Sequence, residues 1–259
     1  MMFKFDFDTT LACIYRPKFE DYGGYFKPIA QWDTLSFDAL KGIDSQLQSL
    51  QRNTQKFIQG EESCNALLWG ARGCGKSSAI KCVLGSFLHT PNTLLRVIEI
   101  PKNSLAIMPL CIDSVRDLPY RFIIICDDLS FDANDESYKA LKSVLEGSFE
   151  QKASNVLLYA TSNQRHLIDE TYPQDTMHLN DAHDELLSLS DRFGLTLGFY
   201  TLGTQEFLSL IHTLLETYIS PIPLEELWRQ KALNFASLKG SKNPRIAREF
   251  CLLYKNGIL

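Results

Sequence analysis

Gly70-Ala71-Arg72-Gly73-Cys74-Gly75-Lys76-Ser77 follows a short apolar run, Asn65-Ala-Leu-Leu-Trp69, and opens a helical stretch, Lys76–Leu88, that closes before Pro91. The octapeptide satisfies the pattern Gly-x4-Gly-Lys-Ser/Thr, and the strand-then-helix context is the one in which that pattern carries meaning. Its glycines allow a tight turn that aims backbone N–H groups at one point. The first turn of the following helix adds its positive dipole end there. Such a turn cradles phosphates, with Lys76 reaching the β- and γ-phosphates and Ser77 ligating Mg²⁺. The residues expected to bind are therefore Gly70, Ala71, Arg72, Gly73, Cys74, Gly75, Lys76, Ser77 and Ser78. A glycine-rich turn with no ligand is the plain alternative, and the complete pattern in context argues against it.

Further along, Leu94–Ile100, Arg121–Cys126 and Asn155–Ala160 are short apolar blocks rich in Val, Ile, Leu and aromatic residues. Leu195–Tyr200 is a weaker one. With the run before the glycine loop they make five candidate strands separated by helical stretches. That alternation predicts an α/β fold, a three-layer sandwich on a mostly parallel five-stranded sheet. Upstream, Leu40, Ile43, Leu47, Leu50 and Phe57 recur at helical spacing, whereas residues 1–35 read as irregular. After Tyr200 strand signals cease. Three helical stretches follow, 204–219, 224–238 and 244–255, interrupted by Ser220-Pro221-Ile222-Pro223 and by Lys239-Gly240-Ser241. The expected organisation is an N-terminal segment (1–35), a sheet core (36–202) and a small all-helical C-terminal lid domain (203–259).

Composition sets outer bounds. An apolar fraction of 45% with 22% charged residues belongs to a globular chain with a sizeable core. No apolar run approaches the length of a membrane span. The N-terminus MMFKFDFDTT alternates Phe with charge and lacks the apolar block of a signal peptide, so a cytoplasmic location is expected. The seven scattered cysteines show no CxxC spacing, which disfavours a structural metal or a disulfide framework. A formal charge of −5 counts against broad electrostatic binding to nucleic acid without excluding a local basic patch.

The second half of the expected site is Arg121-Phe-Ile-Ile-Ile-Cys-Asp127-Asp128-Leu129-Ser130, an apolar strand ending in two carboxylates. Asp127 would hold the Mg²⁺ shell, and Asp128 would sit near an attacking water as its base. Alone, such a pair is equally a solvated strand end; fifty residues after the glycine loop the functional reading prevails. Asn163, at the tip of the next strand in Thr161-Ser-Asn163, would orient the water or sense the γ-phosphate, or else be an ordinary loop asparagine. Arg192 in Ser190-Asp-Arg192-Phe-Gly194 reads within one chain as a partner for Asp191 or another acid. Arg245 opens the last helix beside Pro244, with Arg248 one turn on. The two either point at a nucleotide or form a solvated basic face.

In this order the motifs resemble the AAA+ ATPases. They are closest to a bacterial AAA+ family catalogued as a domain of unknown function, number eight hundred fifteen. The resemblance is carried by Leu68-Leu-Trp-Gly-Ala-Arg-Gly-Cys-Gly-Lys-Ser-Ser78, Cys126-Asp-Asp-Leu-Ser-Phe131, Tyr159-Ala-Thr-Ser-Asn163 and Ser188-Leu-Ser-Asp-Arg-Phe-Gly-Leu195, and spans roughly residues 35–255. It implies binding of ATP with Mg²⁺, release of ADP, and assembly into a homo-oligomer in which Arg192 enters the neighbour's site in trans. It further implies that Asn163 is a first sensor of the γ-phosphate, that Arg245 is a second, and that the region of Gly42-Ile43 cradles adenine. Two departures stand out. Many AAA+ proteins carry Glu where this chain has the shorter Asp128, although an Asp-Asp pair is typical of this family and of the replication-initiator type. Asn243-Pro244 replaces the family's commoner Ser-Gly, which leaves the pose of Arg245 open.

These readings converge on an ATPase that couples nucleotide state to assembly or to remodelling of an unidentified protein partner. An ATP-dependent switch or scaffold with negligible hydrolysis is the alternative. A small-molecule kinase fits less well, because the sequence supplies a C-terminal helical domain where such kinases carry an arginine-rich lid within the sheet domain. Nucleic acid has no positive signal, and neither does a membrane.

Overall fold

The computed structural model describes residues 2–21, 23–131, 137–146, 151–165, 167, 188–219 and 224–259. Its strands are β1 (Ala12–Arg16), β2 (Tyr25–Pro28), β3 (Ala66–Gly70), β4 (Leu95–Glu99), β5 (Arg121–Cys126), β6 (Val156–Ser162) and β7 (Leu195–Phe199). They form one sheet in the order β2-β1-β4-β5-β6-β3-β7. All neighbours run parallel except β1 and β2.

The five expected strands are present, and the sheet has two more. The segment 1–35, expected to be irregular throughout, supplies both: β1 pairs with β4 through Ala12↔Val97 and Cys13↔Ile98, and β2 folds back on β1 as the antiparallel edge. The reason for the difference is tertiary. β1 and β2 are only partly buried, so their sequences lack the continuous apolar run of the central strands, and β1 is fixed by the β4 edge it completes. The alternating Phe residues ahead of it also have a structural use. Phe3 and Phe7 are buried, and the Phe7 ring meets Phe122 edge-on at 4.9 Å. The Phe7 carbonyl accepts from Arg96 Nε at 2.5 Å.

The period of two along the central strands divides their side chains between two cores. Phe122, Ile124 and Cys126 of β5, with Leu158 and Ala160 of β6, face α3 (Met108–Val115) and α4 (Tyr138–Glu146). Ile123, Ile125, Leu157 and Tyr159 face the other way, onto α1 (Asp44–Gln59) and α2 (Lys76–Leu88). Burial on both faces is why these strands read as continuous apolar runs. Replacing Ile124 by Ala would cost about 2–5 kcal/mol through the cavity left behind.

Three helices follow β7: α5 (Thr204–Tyr218), α6 (Glu225–Leu238) and α7 (Pro244–Lys255). They enclose a core of their own around Phe207, Ile211, Trp228, Phe235 and Phe250. The connector expected at Ser220-Pro221-Ile222-Pro223 lies outside the described residues. The helices are tied back to the strand end by the Leu202 N–H, which donates to the Lys242 carbonyl at 2.8 Å. Because β3, β5 and β6 are parallel neighbours, their C-terminal ends meet at one edge of the sheet, opposite the start of α7.

Candidate functional site

Gly70 ends β3 at φ +133, and a Cβ there would lie 1.9 Å from the Phe199 carbonyl oxygen of β7. Only glycine lets the chain leave the strand at this point. Gly73 (φ +79) and Gly75 (φ +99) complete the turn, and Gly75 precedes α2. No side chain caps this helix, so the N–H groups of its first turn are left without an intrahelical partner.

The turn forms one wall of a cavity of about 540 Å³. Arg72, Gly73, Cys74, Gly75, Lys76, Ser77 and Ser78 line it, as do Asp127, Asp128, Asn163 and Ile43. Arg245 and Arg248 reach it from α7. Residues drawn from 39 to 248 thus converge on one space. Gly70 and Ala71 lie at the root of the turn and not in the wall: the Ala71 N–H donates to the Phe199 carbonyl, and both carbonyls accept from Lys76. Arg192 is not among the lining residues either. Its guanidinium meets Glu146 Oε1 of α4 at 3.4 Å, an exposed pair within the chain.

Lys76 is buried, and its Nζ donates to Gly70 O at 2.7 Å, Ala71 O at 3.0 Å and Asn163 Oδ1 at 3.1 Å. Burial holds it below the ordinary lysine range. The neighbouring Arg245 charge pushes the same way, while Cys74, Asp128 and Asp127 oppose the shift. Two cations held together in this manner favour an anion between them. The whole wall shares the bias: Lys41, Arg72, Lys76, Arg245 and Arg248 stand against Asp127 and Asp128. In a chain of net charge −5 this is a local reversal of sign.

The acids are braced by β6. Ser77 Oγ donates to Asp127 Oδ1 at 2.6 Å, and Thr161 Oγ1 donates to the same oxygen at 2.5 Å. The Thr161 hydroxyl also accepts the Asp128 N–H at 2.9 Å, and its carbonyl accepts the Leu129 N–H at 2.7 Å. Asp128 lies at φ +56, a region that costs a non-glycine residue on the order of 1–3 kcal/mol and concentrates at functional sites. Asn163 Nδ2 donates to Asp128 Oδ1 at 2.5 Å, so the one asparagine bridges Lys76 and Asp128.

The cavity also has aliphatic lining, from Leu40, Ile43, Leu210 and Leu214, and Ile43 Cδ1 lies 3.5 Å from where a Cβ on Gly75 would stand. Ile43 was expected there. Leu210 and Leu214 were not, because an i,i+4 leucine pair in α5 looks like any core stripe. Lys41 carried no signal. Thr161 stood in view as a short polar strand tip, and only the register of β6 against β5 gives it both acids to hold.

A mostly parallel sheet of this order, with a glycine turn after β3, tandem acids after β5 and a helical bundle following β7, defines a P-loop protein with the AAA+ fold. The sequence matches the family described as "Protein of unknown function (DUF815)" over residues 10–257, and the chain belongs to that family. No curated relative matches it. Among solved structures it is similar to two RuvB mutants from Thermotoga maritima, at 15% and 14% identity and a TM-score of 0.54, covering 82% of this chain and 62% of each of theirs. It is also similar to the Aeropyrum pernix Orc1 protein in complex with DNA, at 14% identity and a TM-score of 0.58, covering 83% of this chain and 59% of that one. The chain thus spans about three fifths of the length of these proteins, and at such identities the likeness is one of fold. Among the described residues no helix is long and apolar enough to cross a membrane.

Proposed function

We propose that this protein binds Mg²⁺-ATP in the cavity between sheet and helical domain and hydrolyses it, coupling nucleotide state to assembly or to remodelling of a partner. The observation that carries the reading is the convergence of the glycine turn, Lys76, the Ser77–Asp127 pair and Arg245 on one space lined by an excess of cations and by aliphatic side chains. A triphosphate attached to a flat aromatic base matches that mixture of charged and aliphatic lining.

Lys76 would exchange its bonds to the loop carbonyls for phosphate oxygens, which charge makes stronger acceptors. Among the described residues no group of three or more His, Cys, Asp or Glu could hold a metal. Mg²⁺ commonly takes only one or two protein ligands and completes its shell with phosphate and water, so Ser77 and Asp127 fit it. When bound it would neutralise charge on the β- and γ-phosphates. Asp128, aimed by Asn163 and Thr161, would take a proton from water. Residues 203–259 would act as a lid over the 36–202 core, and Arg192 would serve a neighbouring subunit's site in a cytoplasmic homo-oligomer.

One observation favours the second reading, a switch with negligible turnover. Asn163 donates to Asp128 Oδ1, which occupies one oxygen of the carboxylate that would act as base, and the aspartate is a methylene shorter than a glutamate. Phosphate release decides between the two. The ATPase reading expects turnover in the wild type that Lys76→Ala and Asp128→Asn both abolish, with Asp128→Asn still binding Mg²⁺-ATP. Wild-type turnover no greater than that of Lys76→Ala, with binding retained, would leave the switch.

A further inference from the structure

Asn243 precedes the helix that carries Arg245, and its side chain is only 5% exposed. Its Oδ1 accepts the Ile246 N–H at 3.0 Å, which caps α7. Its Nδ2 donates to the Arg72 carbonyl at 3.1 Å and to Ser241 Oγ at 3.2 Å. A single carboxamide therefore fastens the first turn of α7 to the turn that carries Lys76.

The loop is shaped to receive it. Gly73 stands at φ +79, and a Cβ there would lie 2.9 Å from both Nδ2 and Oδ1 of Asn243. Beside this contact the Arg245 N–H reaches the Gly73 carbonyl at 3.4 Å. Two consecutive loop carbonyls, those of Arg72 and Gly73, thus face the helix end. In a trans peptide the C=O and the following N–H point in opposite directions. Holding these carbonyls therefore fixes the directions of the Gly73 and Cys74 N–H groups, while the same clamp fixes where the Arg245 side chain begins.

We propose that Asn243 is a positioning residue that locks the phosphate loop and Arg245 into one unit, so that neither engages the nucleotide independently of the other. The proposal rests on the reading of the cavity as an Mg²⁺-ATP site. A serine at 243 keeps the helix cap, since Ser and Asn cap about equally well, but is too short to reach the Arg72 carbonyl while doing so.

The test is a double-substitution cycle on the full chain, with Mg²⁺-ATP affinity measured by calorimetry for wild type, Asn243→Ser, Arg245→Ala and the double variant. Ligand-free thermal unfolding is followed alongside. Asn243→Ser is expected to weaken binding about three- to tenfold, the worth of one lost buried hydrogen bond. Arg245→Ala should then cost at least about threefold less in the Asn243→Ser background than in the wild type. A purely structural role would lower the unfolding temperature and leave the two effects independent. The proposal is overturned if the single effects multiply to within about twofold, or if Asn243→Ser binds as the wild type does. An Arg245→Ala variant of unchanged affinity would also overturn it, with the ATP reading intact; absence of binding in the wild type would remove both. Should Asn243→Ser fail to fold, Asn243→Asp, which also caps but presents an oxygen to the Arg72 carbonyl, is read by the same criteria.

Discussion

Thr161→Val keeps the shape, the branching and the strand preference of the side chain and deletes one hydroxyl that serves both acids of the site. That hydroxyl donates to Asp127 Oδ1 at 2.5 Å and accepts the Asp128 N–H at 2.9 Å, in a residue only 1% exposed. A hydrogen bond to a charged group contributes about 1.5–3 kcal/mol and a neutral one about 0.5–1.5 kcal/mol. Their joint loss should cost about 2–4 kcal/mol, or roughly 5–15 °C in unfolding temperature for a chain of this size. Asp128 is also held at φ +56 by these contacts and the Leu129 N–H bond to the Thr161 carbonyl. Losing the side-chain bond should let the carboxylate drift and lower phosphate release more than it lowers Mg²⁺-ATP affinity. Thr161→Ser, which retains the hydroxyl, is the control. Urea unfolding and single-turnover phosphate release on both variants make the comparison. If Thr161→Val matched Thr161→Ser within about 0.5 kcal/mol and in turnover, the brace assigned to β6 would be wrong.

Glu99 lines a second cavity of about 170 Å³ beside Ser77 and Asp127, and burial, aided by the Asp127 charge, raises its carboxyl above the usual 4.5 while Lys81 and Arg16 oppose. A raised acid contributes its stability in the protonated form, below the unfolded value, and loses it as pH climbs through the folded value. Glu99→Gln should therefore melt higher than the wild type at pH 7, with the gain vanishing near pH 4; an equal or lower melting temperature at pH 7 would contradict this. Among the described residues Arg192 makes an exposed pair with Glu146, worth less than about 1 kcal/mol, so the melting temperature of Arg192→Ala should stay within a few degrees of the wild type. The same variant should lose ATP-dependent enlargement by light scattering if the arginine serves a neighbour. Gly70→Ala would put a methyl into the Phe199 carbonyl and should lower the melting temperature by about 10 °C or more or prevent folding, as read by circular dichroism.

What could be read from residues alone was whatever has a local cause. The glycine turn, the double-sided apolar strands β4, β5 and β6, and the α2 and α7 bounds all follow from chemistry within a few neighbours. Asp127 and Asn163 were legible because strand ends in a parallel sheet gather at one edge. The rest depended on partners far along the chain. Strand β1 exists because β4 offers an edge, and Thr161 acts on acids 33 and 34 residues upstream. Leu210 and Leu214 become a cavity wall only when the fold brings α5 to the space that the glycine turn lines. Asn243 shows the same limit from the other side. As a departure from the commoner Ser-Gly it left the pose of Arg245 open, and the carbonyl that its amide holds lies 171 residues away, out of reach of any local reading.

Calorimetric titration of Mg²⁺-ATP into the full chain, beside Lys76→Ala, tests the central claim most directly. Saturable one-to-one binding by the wild type is predicted. Loss of the charge-assisted bonds should weaken the variant about tenfold or more. Well-folded wild-type protein that took up no nucleotide, or that bound it no better than Lys76→Ala, would contradict the account.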